Sequence, residues 1–126
     1  MCNPWFSTPL QREWKELGWI SKDTNFDHWS DDPVGWKNFI SYLESHPDSI
    51  RVMHIIGGEV AFIPKFDELV NYLIEKDTAK NINFSFTING SVDYTKYFDR
   101  LSKFKRTEIG ISIESIEPIG DYIRQK

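Results

Sequence analysis

The chain has 126 residues, of which 40% are hydrophobic and 27% charged, and a formal net charge of −4. These values describe one globular domain or part of one and exclude a disordered chain, and the acidic balance offers no long-range attraction to phosphate backbones, so no nucleic acid is expected as partner. A single cysteine, Cys2, excludes an internal disulfide framework, and no apolar run nears the roughly 18–20 residues of a membrane span.

No basic stretch followed by an apolar segment opens the chain, so a cytoplasmic location is expected, with no membrane partner. In chain order, Trp14, Leu17 and Leu10 outline one helical face, and Trp36, Phe39, Ile40 and Leu43 a second. The polar stretch between them, about Gly18 to Asp32, reads as a surface loop. Trp5, Trp14, Trp19, Trp29 and Trp36 all fall in this first third, where packing explains them better than a stacking surface does.

From residue 51 the pattern changes. Three short runs rich in β-branched and aromatic residues, 51–56, 82–88 and 107–113, alternate with segments of helical period. Phe66, Leu69, Val70, Leu73 and Ile74 predict a helix from about Pro64 to Asp77. Tyr94, Tyr97, Phe98, Leu101 and Phe104 predict another, with Asp93 as its N-cap. The fold class is therefore α/β, a parallel β-sheet with crossover helices. A last helix is expected from Pro118 to Lys126.

Ligands of parallel α/β sheets bind beyond the carboxyl ends of the strands. Here those ends carry Gly57-Gly58-Glu59, then Thr87-Ile88-Asn89-Gly90, then Ser112-Ile113-Glu114. The two glycines allow close approach to backbone carbonyls, and Glu59 adds a carboxylate suited to an ammonium group. The same tripeptide also serves as a plain strand-to-helix turn. Asn89-Gly90 by itself reads as a turn. Ser112 and Glu114 alternate onto one face, where they could bond the two hydroxyls of a ribose or simply meet solvent. His54, inside the first run, reads as a hydrogen-bonded structural residue. No phosphate loop, nucleophile elbow or His-Glu-x-x-His motif is present, and no metal is assigned to the histidines.

In this order, Gly-Gly-Glu, Thr-x-Asn-Gly, Ser-x-Glu and the closing Asp121-Tyr122-Ile123-Arg124 resemble the core of radical S-adenosylmethionine enzymes. The likeness is strongest to the subgroup with SPASM or twitch-type C-terminal domains. Met1-Cys2-Asn3-Pro4 through Leu17 is similar to the segment that starts at the last cysteine of that family's CxxxCxxC motif, so the resemblance covers nearly the whole chain. It implies a partial (βα) barrel in which residues 1–126 form part of the core domain. It implies S-adenosylmethionine and a [4Fe–4S] cluster as cofactors, and reductive cleavage to a 5′-deoxyadenosyl radical acting on a peptide or small molecule.

Carried onto this chain, the resemblance makes Cys2 a cluster ligand and gives the methionine amino group to Gly57, Gly58 and Glu59. Asn89, Ser112 and Glu114 become cofactor contacts, and Arg124 meets the carboxylate. Val60 stands where the family usually has proline, and the first two cysteines of the motif are absent. One thiolate does not hold such a cluster, so the chain alone is expected to be inactive. Because Met1 immediately precedes the matching cysteine, a start at an internal methionine is expected. The competing reading is a cluster-free α/β module that binds a small ligand or a protein.

Overall fold

The computed structural model describes residues 4–26 and 29–113. Two compact units divide the chain, Met1–His46 and Pro47–Lys126.

In the first unit a short 3₁₀ turn, Pro4–Phe6, leads into helix α1, Thr8–Glu16. Pro9 suits its first turn, where a missing N–H costs nothing. The expected apolar face does not become a core: α1 has no buried residue, and Leu17 lies past its end, 53% exposed. There the Leu17 N–H still reaches Glu13 O, but Gly18 turns the chain away, and Trp19 folds back edge-on against Trp14 at 5.8 Å. Residues 18–26 form neither helix nor strand, as their polarity predicts, but the last part of the expected surface loop closes a 3₁₀ turn, Trp29–Asp31, and buries Ser30.

Helix α2, Pro33–Ser45, starts at Asp32, whose two carboxylate oxygens accept from the Val34 and Gly35 amides at 3.1 Å each. Its stripe buries Trp36 and Leu43, with Phe39 against Trp36. Replacing Asp32 by alanine orphans both amides. The expected cost is about 0.5–2 kcal/mol, read as faster hydrogen exchange at Val34 and Gly35.

The second unit holds strand β1, Val52–Ile55, helix α3, Pro64–Glu75, strand β2, Asn83–Ile88, helix α4, Phe98–Leu101, and strand β3, Arg106–Ile111. The fold is α/β, with a three-stranded parallel sheet in the order β1-β2-β3. Val52 pairs with Asn83, and Asn83 with Arg106. The strands fall within two residues of the runs that predict them, the usual uncertainty at element ends.

Helix α3 buries Phe66, Leu69, Val70 and Leu73. It stops at Glu75, short of the expected Asp77, because Asp77 takes φ +56 and the Thr78 amide and hydroxyl both close onto Leu73 O. The segment after β2 departs further from its predicted periodicity. Asp93 Oδ1 does accept from the Thr95 amide at 2.8 Å, but Thr95–Tyr97 is a 3₁₀ turn and only Phe98–Leu101 is α-helical. Three residues per turn align Tyr94 with Tyr97 and rotate Phe98 outward. Phe98 is 53% exposed, while Tyr94, Tyr97, Leu101 and Phe104 are buried.

Alternation along β2 sends Phe84, Phe86 and Ile88 to one face. There Phe66 meets Phe86 at 5.4 Å and Tyr97 at 5.6 Å, and Phe104 stacks on Phe84 at 4.5 Å. Both helices of this unit thus cover the same side of the sheet. Arg100 ties α4 to α3 through Asp67 at 2.7 Å and Asn71 at 3.1 Å. The opposite face carries Val52 and His54 from β1, Asn83, Ser85 and Thr87 from β2, and Arg106, Glu108 and Gly110 from β3.

Candidate functional site

Because the three strands are parallel, their carboxyl ends share one edge of the sheet, and the residues just past those ends meet there. After β1 the chain runs through exposed Gly57 and Gly58 to a half-buried Glu59, then into a 3₁₀ turn, Val60–Phe62. Val60, where the resemblance expects proline, is completely buried and anchors this turn in the core. The anchor directs the Glu59 carboxylate back across the edge.

Glu59 Oε2 accepts a hydrogen bond from the Asn89 amide at 3.0 Å, joining the ends of β1 and β2. Glu59 Oε1 accepts from the Tyr94 hydroxyl, and the Tyr94 oxygen in turn accepts from the Ala61 amide at 3.1 Å. A carboxylate offers about four lone-pair positions. These two bonds leave acceptor capacity for a ligand. Burial first, then the bond to Glu59, pushes the Tyr94 phenol well above its ordinary range, with the Ala61 amide acting in the opposite sense. The phenol therefore stays a donor to the carboxylate.

Tyr94 is the member of this network that periodicity assigns only to packing. Its signal was chemical: among the phenylalanines 66, 84, 86 and 104, a tyrosine at a core position needs a partner for its hydroxyl.

Asn89 is exposed, and its Oδ1 accepts from the Ser91 amide at 2.8 Å. Gly90 takes φ +77, a left-handed conformation that L side chains rarely adopt, so Asn89-Gly90 forms the turn its composition predicts. Ser112 comes directly after β3 with its amide on Ile88 O at 2.8 Å, which sets it beside the end of β2. Gly57, Gly58, Glu59, Asn89 and Ser112 thus lie just past neighbouring strands at one edge. Cys2, Glu114 and Arg124, and the helix expected at Pro118 to Lys126, lie outside the described residues.

On the open face of the sheet, His54, Ser85 and Glu108 form one row across the three strands. His54 Nδ1 and Ser85 Oγ share a hydrogen bond at 2.8 Å, and Glu108 pairs with Arg106 at 2.5 Å. His46, at the end of α2, stacks on Tyr42 at 4.6 Å.

The donor set does not fit an iron–sulfur cluster. The sequence has one cysteine where the chemistry calls for several thiolates, and among the described residues no group of three or more His, Cys, Asp or Glu side chains is placed to share a metal ion. No helix among the described residues is long and apolar enough to cross a membrane. No protein-family profile, curated protein or solved structure matches the chain.

Proposed function

We propose that the second unit binds an amino-acid nucleoside of the S-adenosylmethionine type at the carboxyl edge of its sheet, in the manner of a radical S-adenosylmethionine core. One observation carries this reading: the Glu59 carboxylate is hydrogen-bonded to the Asn89 amide at 3.0 Å, which joins two motifs thirty residues apart in the sequence. The sequential strand order, with both helices on one face, supports a partial (βα) barrel, whose ligands gather at this end of the strands.

In this reading the exposed backbone of Gly57 and Gly58 and the remaining lone pairs of Glu59 receive the ligand's ammonium group, and Ser112 with Glu114 receives the ribose. A cluster bound beside the nucleoside would supply the electron for sulfonium cleavage, but this chain's single cysteine does not fit one. In this reading the chain's own residues bind and orient the nucleoside.

A second reading, a protein-interaction module, is favoured by Ile56 and Phe62, which flank the Gly-Gly-Glu turn at 68% and 75% exposure. Titration of S-adenosylmethionine and S-adenosylhomocysteine into the folded chain, monitored by amide NMR shifts, separates the two. The expected result is saturable shifts at Gly57, Gly58 and Gly90, with Gly58→Val weakening binding at least about tenfold, or ~1.4 kcal/mol. Unchanged strand-end amides in a folded protein at millimolar ligand overturn the nucleoside reading.

A further inference from the structure

The turn after β2 places a reactive dipeptide, Asn89-Gly90, in an exposed loop with Gly90 left-handed. We propose that Asn89 is a site of spontaneous deamidation, and that its conversion to aspartate or isoaspartate releases the link between the ends of β1 and β2. The inference concerns the turn's own chemistry and stands whether or not a nucleoside binds nearby.

Asn89 is the only asparagine in the sequence with glycine directly after it. The Gly90 nitrogen is flanked by no side chain of its own, and even a Cβ built on Gly90 would come no nearer to its surroundings than 3.8 Å, from Ile111 Cγ2. The Ser91 amide donates to Asn89 Oδ1 at 2.8 Å. That bond draws electron density from the side-chain carbonyl carbon and stays in place as the oxygen gains negative charge, which is how a preorganised donor lowers a barrier of this kind. It also ties the Asn89 side chain back to the main chain two residues on. Asn89 is exposed, so water reaches the product.

In the reaction the Gly90 nitrogen bonds to Asn89 Cγ and loses its proton. The Cγ–Nδ2 bond breaks, and that nitrogen leaves as ammonia carrying the proton. A five-membered succinimide remains. Water then adds to one of its two carbonyls: opening on one side gives aspartate, and opening on the other gives isoaspartate, whose main chain runs through the former side chain. Nothing is oxidised or reduced, and water is the only co-reactant.

The consequence comes from the neighbour. The Asn89 amide holds the Glu59 carboxylate, so either product sets a second negative charge on the residue that binds the first. Like charges at this range oppose each other, and isoaspartate also displaces the turn by an added main-chain carbon. The edge of the sheet thus changes from a linked to an unlinked state as the protein ages.

The test incubates the folded chain in neutral buffer at physiological temperature beside a peptide covering residues 86–92. Both are monitored by peptide mapping and by enzymatic methylation of isoaspartate. The expected result is replacement of NH2 by OH at Asn89 in the folded chain, with both products present, keeping pace with the peptide, and no conversion in Asn89→Gln. A folded chain that stays unmodified while the peptide is fully converted overturns the proposal. Independently, Asn89→Asp is expected to lose hydrogen-exchange protection at the residue 89 amide while Phe84 and Phe86 stay protected. Wild-type protection at residue 89 in that variant overturns the release.

Discussion

Phe84→Ala is expected to cost about 3–5 kcal/mol, the range for truncating a fully buried aromatic. Phe84 has no exposed surface, sits on the central strand, and is in ring contact with Phe66, Phe86 and Phe104. Its removal leaves a cavity bordered by Phe66, Phe86 and Phe104. Small domains have only about 5–15 kcal/mol of total stability, so the second unit should unfold at a much lower urea concentration. Phe98→Ala is the matched control. Phe98 is 53% exposed despite its apolar register with Tyr94 and Leu101, so its loss should change stability by no more than about 0.5 kcal/mol. Equal effects of the two substitutions would contradict the 3₁₀ turn that rotates Phe98 out of the core.

Tyr94→Phe tests the hydrogen-bonded edge without changing the packing of the ring. It removes a donor from Glu59 Oε1 and the acceptor of the half-buried Ala61 amide. Leaving such groups unsatisfied costs about 1–3 kcal/mol, measurable as a shift in the urea midpoint at neutral pH. The pH dependence gives a second readout. Burial and the bond to Glu59 raise the Tyr94 phenol above its ordinary value of 10.0 in the folded chain, so folded protein holds this proton after unfolded protein has released it. The corresponding stability is fully present below the unfolded value and declines as pH climbs from there toward the folded one. The difference between wild type and Tyr94→Phe should therefore be constant from neutral pH to about pH 10 and shrink above it. A difference that stays constant into strong alkali would show that the phenol is neither buried nor held by Glu59.

The local architecture of the second unit was legible because periodicity is a property of the chain's own repeat. A strand shows its two faces at every second residue and a helix its stripe at every third or fourth. The runs 51–56, 82–88 and 107–113, and most of α3, could thus be located to within two residues without knowing what they touch. Parallel order came from the repeated alternation of strand, helix and strand, and with it the expectation that Gly57-Gly58-Glu59, Asn89 and Ser112 lie along one edge.

What the linear pattern could not supply was the choice of partners. Glu59 reads equally well as an acid awaiting an ammonium group or as a solvated turn residue. Its bonds to Asn89 and Tyr94, 30 and 35 residues away, depend on strand register and on the buried Val60 that aims the carboxylate. The same holds for His54 and Ser85, brought together only by the alignment of β1 with β2. Phe98 and Leu17 show the converse: each continues an apolar period, yet a 3₁₀ turn exposes one and a helix end the other. Periodicity determined which residues can face inward. Only the tertiary structure, by closing turns and setting register, decided which do and which polar groups meet at the edge they leave open.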